Sequence, residues 1–171
     1  MKIAAALLVV TACATGDDAT QLANAAGDKG DRAATTIRLT NDPDGAFASF
    51  VLLCEEAAGC NITIDLDVRD MYAVKDDLAA AGNPVTQSNA VDLVKVHMKG
   101  PLATDLEWDY AVQARMKVDA ECPEGCIVGD KKLDLPKQPK GSYLLELTKT
   151  DLAAVASLRL QITAAWYAAN Q

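Results

Sequence analysis

The chain has 171 residues, enough for one domain with a substantial core, and half of them are apolar, which excludes a disordered body. Its 24 acidic and 16 basic residues leave a formal charge of −8, a surface that repels phosphate backbones and anionic lipid, so no nucleic acid is expected among its partners. Aromatic residues make up only 5%, which counts against a platform for stacking sugars or bases.

The first thirteen residues, MKIAAALLVVTAC, have one positive charge at Lys2, an apolar run ending at Val10, and small residues before Cys13. This is the build of an export signal, and the run is too short to span a bilayer as a mature helix. Its last four residues, Val10-Thr11-Ala12-Cys13, resemble the lipobox of bacterial lipoproteins. The resemblance covers the leader alone. It implies cleavage after residue 12, a diacylglycerol on the Cys13 thiol and a further acyl chain on the freed amine. It thus implies a membrane partner reached through lipid on Cys13 and a place in the cell envelope. Ala14, rather than Asp, follows the cysteine, which in the sorting rule of that class resembles cargo for the outer membrane. Periplasmic face and cell surface remain open.

Residues 13–34 then read as the acylated start and a flexible linker. Ala14 to Ala34 is small, polar and interrupted by glycine, without a period of two or of 3.6. Asp17, Asp18, Asp28 and Asp31 lie too far apart in it for an ordered metal loop and read as solvated charge. Residues 35–171 form the predicted domain.

With Cys13 acylated, four of the five cysteines remain, in two close pairs. An exported chain meets an oxidising compartment, where an even remainder predicts disulfides. Cys54 continues the face of Phe50 and Leu52, and Cys60 that of Ile62, Ile64, Leu66 and Val68. A hairpin through Glu55–Gly59 would bring Cys54 opposite Cys60. Pro123-Glu124-Gly125 would likewise turn Cys122 onto Cys126. Each bridge closes a small loop and contributes about 2 kcal/mol at most. The alternatives are other pairings, since four cysteines allow three connectivities, and a four-cysteine zinc site, but C-x₅-C and C-x₃-C are not the C-x₂-C knuckle of structural zinc.

In chain order, Thr36–Asn41 alternates as a first strand. Asn41-Asp42-Pro43-Asp44-Gly45 is a turn; it looks faintly like a calcium loop but lacks the distal glutamate. Residues 46–54 are apolar on both faces, as in an interior strand, and Cys60–Arg69 alternates with Asp65 and Asp67 outward. Such paired carboxylates can do acid–base work or hold metal, although a solvated strand face explains them. Asp70 caps a helix over 71–81, ended by Gly82-Asn83-Pro84. Ala90–Met98 is rich in β formers but mixed in parity. His97, the one histidine, shows no partner at a telling spacing.

Leu106–Cys122 alternates throughout, with Leu106, Trp108, Tyr110, Val112, Ala114, Met116, Val118, Ala120 and Cys122 on one side. It predicts a long central strand, bent so as to serve two sheets. Ile127–Leu135 returns, Pro136–Gly141 is a loop, and strands follow at 143–147 and 158–166, with Trp166 facing inward. About eight strands with frequent turns predict an all-β protein: an antiparallel β-sandwich, immunoglobulin-like in general architecture.

No nucleophile elbow, phosphate loop or HExxH appears, so no catalytic residue, cofactor site or metal site is assigned. The expected function is a non-enzymatic, anchored envelope module that presents a β surface, loop or edge strand to another envelope protein. The alternatives are a calcium- or carbohydrate-binding module using Asn41–Gly45 or the Asp65/Asp67 face, and a hydrolase with carboxylate chemistry.

Overall fold

The computed structural model describes residues 23–24, 31–150 and 155–168. Among the described residues ten strands and one helix follow in order: β1 (Ala23–Asn24), β2 (Asp31–Thr40), β3 (Phe47–Cys54), β4 (Cys60–Arg69), α1 (Met71–Ala80), β5 (Val91–Lys99), β6 (Glu107–Lys117), β7 (Cys126–Val128), β8 (Asp130–Gln138), β9 (Gly141–Lys149) and β10 (Ser157–Ala168). They form two five-stranded sheets, ordered β1-β2-β10-β4-β8 and β3-β9-β5-β6-β7. Every pairing among the described residues is antiparallel. The molecule is therefore the all-β, sandwich-like fold that alternation predicts.

The core is built from the inward half of each alternating strand. Ile62, Ile64, Leu66 and Val68 of β4 and Leu158, Leu160, Ile162 and Trp166 of β10 come from one sheet. Phe50 and Leu52 of β3, Val96 and Met98 of β5, Val112 of β6 and Tyr143, Leu145 and Leu147 of β9 come from the other. Trp108 is partly buried against this core, its ring 6.5 Å from that of Tyr143. Burial pushes the Tyr143 phenol above its ordinary pKa, and its hydroxyl donates to the Pro139 carbonyl.

Several expectations are corrected. First, the alternating stretch ends as a strand at Lys117, not Cys122, and it is not central: β5 and β10 hold the middle of their sheets. The Asp119 carboxylate accepts the N–H groups of Glu121 and Cys122, each at 3.0 Å, and turns the chain although the alternation runs on. Val118, apolar and in phase, is 53% exposed.

Second, this strand does not bend into both sheets. β7 pairs with β6 in one sheet and β8 with β4 in the other, so the crossing lies between them at Gly129. The Gly129 carbonyl accepts the Val68 N–H at 2.7 Å, and a Cβ there would stand 2.7 Å from Met71 Sδ and 3.1 Å from Val68 Cβ. A side chain there would have to displace the Met71 thioether and crowd Val68, so glycine suits the passage beneath α1.

Third, β3 is an edge strand rather than an interior one, and its sequence neighbour β4 is not its partner: β3 pairs with β9, β4 with β10 and β8. Fourth, the predicted loop at Pro136 begins later. Pro136 to Gln138 belong to β8, where a register shift leaves Pro136 and Lys137 facing Asn61. An outer strand tolerates the missing N–H of Pro136. The Lys137 N–H, at φ 52, finds the Asn61 side chain at 2.9 Å.

Strand also reaches further back than residue 35: Asp31–Ala34 pairs with Thr163–Trp166, and Ala23–Asn24 with Ala33–Ala34. Pairing with β10 holds residues whose own sequence carries no β pattern. The mixed parity of residues 90–98 has a simple cause. A register shift between Asp92 and Val94 turns both Leu93 and Val94 inward, each fully buried.

The helix forms close to the predicted bounds and buries Val74 and Leu78. Asp70 stands at its N-terminus in the left-handed region (φ 59, ψ 37) but its side chain makes no cap; it binds Arg159 at 3.0 Å instead. At the other end the N–H groups of Gly82 and Asn83 return to the carbonyls of Ala79 and Leu78, with Gly82 at φ 79.

Candidate functional site

Register decides which side chains meet on the outer faces. On the β3 sheet, Ser49 lies opposite Glu146, Glu146 opposite His97, and His97 opposite Asp109, a row across four strands. His97 Nδ1 is 2.7 Å from Asp109 Oδ1, and the neighbouring Lys99 pairs with Glu146 at 3.5 Å. His97 is thus not without a partner. The signal is the cross-strand register, which spacing along the chain does not reveal. A carboxylate on Nδ1 fixes the ring's orientation. Ser49 sits two strands from His97, about 10 Å away at ordinary strand spacing, so it is not placed as a nucleophile for that ring.

An open, polar cleft of about 550 Å³ lies at the other end of β5, lined by Asn83, Asn89, Asp92, Gln113 and Thr150 among others. Its polar groups are largely turned on one another. Gln113 donates to Asp92 Oδ1 at 2.6 Å, Thr150 to the Asp92 carbonyl at 2.6 Å, and Asn89 to the Pro84 carbonyl at 3.0 Å.

On the other sheet, Asp65 stands opposite Lys132 and Thr163, and Asp67 pairs with Arg69 at 3.0 Å. The two carboxylates share a face but do not converge on a pocket. The same face aligns Arg38, Arg159 and Arg69 on three adjacent strands. In the Asn41–Gly45 turn, Asn41 Oδ1 accepts the ammonium of Lys149, a side chain only 6% exposed; a cation thus already occupies that oxygen. The turn closes through Gly45 N–H to the Asp42 carbonyl at 2.9 Å. Among the described residues no three His, Cys, Asp or Glu side chains gather as a metal site.

The cysteines meet as expected. Cys54 and Cys60 are disulfide-bonded, their Cα atoms 6.0 Å apart, and both are buried. Cys122 and Cys126 are bonded with Cα atoms 5.9 Å apart and are only half-buried. The Cys122–Cys126 bridge staples the tip of the β6–β7 hairpin, whereas Cys54–Cys60 joins the two sheets and so is not a hairpin staple. Beside the former, Lys117 and Asp119 form an exposed pair at 2.6 Å. The hydrogen bond from Lys117 holds the Asp119 carboxyl below its usual range, and Asp119 in turn raises the Lys117 ammonium. Cys13, Asp17, Asp18 and Asp28 lie outside the described residues. No described helix is long and apolar enough to cross a membrane.

No family model matches this chain, and no curated protein does. A crystal structure of a Sulfurospirillum deleyianum protein aligns over 77% of this chain and 96% of its own length, at 10% identity and a TM-score of 0.29.

Proposed function

We propose that this chain is a lipid-anchored envelope protein whose β-sandwich serves as a binding or structural module, without catalysis, for another envelope component. The observation that carries the reading is the odd cysteine. Cys54 with Cys60 and Cys122 with Cys126 satisfy four thiols, and the fifth is Cys13, at the end of the lipobox-like leader. Bonded thiols suit an oxidising compartment, and a cysteine after a short apolar leader suits acylation. Several acyl chains hold a protein at a membrane, since each buried CH₂ contributes about 0.8 kcal/mol. Ala14 favours the outer membrane as the address.

Intact mass of the protein from the membrane fraction tests this. The expected result is loss of residues 1–12 and an acyl mass on Cys13, with Cys13→Ser moving the protein to the soluble fraction. An unmodified Cys13 in a soluble protein overturns the proposal.

A further inference from the structure

Among the described residues the two sheets have four outer strands, and three are ill suited to pairing with another chain. β1 has two residues and β7 three. β8 carries Asp130, Lys131, Lys132, Asp134 and Lys137, contains Pro136, and breaks register opposite Asn61. Charge, proline, irregularity and brevity are the usual defences of a sheet edge.

β3 has none of them. Its eight residues, FASFVLLC, include no charge and no proline, and they keep an unbroken register against β9. Lys149 N–H donates to the Ala46 carbonyl at 2.8 Å, in continuation of that register. Antiparallel bonding alternates, so residues 48, 50, 52 and 54 face β9 and Phe47, Ser49, Val51 and Leu53 direct their N–H and C=O groups outward. No described strand pairs with that side. The same four side chains lie on the outer face of the sheet. Phe47 is 46% exposed, and Val51, Leu53 and the neighbouring Leu144 are half-buried. An unpaired backbone row beside an apolar strip calls for an extended, uncharged strand.

We propose that this strand is β3 of a second copy. Among the described edges it is the one fit to accept a β3, so copies joined through it close as a two-fold pair and cannot run on as a filament. Antiparallel pairing centred on Phe50 sets Phe47 beside Leu53 and Ser49 beside Val51 of the second copy. Every outward backbone group then finds a partner, and the apolar strips become continuous. No charge lies on the seam, so two chains of −8 meet only long-range repulsion, which salt screens within about 8 Å.

The test is sedimentation equilibrium of the full chain purified from cells, in detergent where it carries lipid. A dimer that tightens with salt is expected. Val51→Lys should raise its dissociation constant at least about tenfold, while Leu102→Lys, at a fully exposed loop site, leaves it unchanged. Melting midpoints check that both variants fold. Amide exchange at Ser49, Val51 and Leu53 should slow as concentration rises. A monomer up to about 1 mM, a dimer indifferent to Val51→Lys, or amides protected equally at every concentration overturns the proposal.

Discussion

Cys54–Cys60 ties β3 of one sheet to β4 of the other, whereas Cys122–Cys126 ties the loop after β6 to the first residue of β7, within one sheet. Along the chain the two look alike: strand, cysteine, short tip, cysteine, strand. In space the first closes an end of the core between facing sheets, with both sulfurs buried, and the second dresses an accessible hairpin tip. The lesson is that cysteines at the two ends of a short turn come close whether the turn makes a hairpin tip or an arch. Pairing is therefore readable from close spacing and an even count, and topology is not.

The sharpest way to break this comparison is to remove each bridge. Replacing Cys54 and Cys60 together by alanine should destabilise the domain by about 3 kcal/mol, since it frees the arch and leaves space in the core. The same change at Cys122 and Cys126 should cost about 1 kcal/mol or less, because the tip can open locally. Urea unfolding with unchanged slope measures both; equal losses would erase the distinction.

Smaller effects are expected at the glycines beside each bridge. Gly59 has φ +85, and a Cβ there would stand 2.3 Å from the Gln138 carbonyl oxygen, so Gly59→Ala should cost about 2 kcal/mol. Gly125 has φ +89 but faces the flexible end of Met116 at 3.1 Å, so Gly125→Ala should cost about 1 kcal/mol. Thermal midpoints of the two variants decide the order.

The smallest effect is the pH response of the hairpin tip. Asp119 titrates below its ordinary value when folded, chiefly through the Lys117 hydrogen bond. Its contribution is present above the unfolded carboxylate range, near pH 4, and is lost as pH falls through the folded value. Acidification should therefore raise amide exchange at Glu121 and Cys122 beyond the intrinsic trend, and Asp119→Ala should abolish that excess. No comparable change is expected at the arch, where Gly59 N–H is held by the Glu56 carbonyl instead.

Much of the site remained hidden from the sequence for a single reason. The Asp109 partner of His97, the Arg159 partner of Asp70 and the Asp130 partner of Arg115 all come from residues brought near by folding rather than by local spacing. A like cause misplaced β3. Apolar residues on both faces suggested burial, yet the outer set lies on an edge, where Phe47 is left in solvent.

Alternation, turn residues and the cysteine count were enough to point to an all-β domain, most of its inward residues, its helix and its two close cysteine pairs, because each is a local consequence of backbone geometry. The order of strands, the crossing at Gly129, the sheet-to-sheet role of Cys54–Cys60 and the open edge of β3 were settled only by tertiary structure. Those depend on which distant apolar faces pack together, and a period of two is the same for every candidate partner.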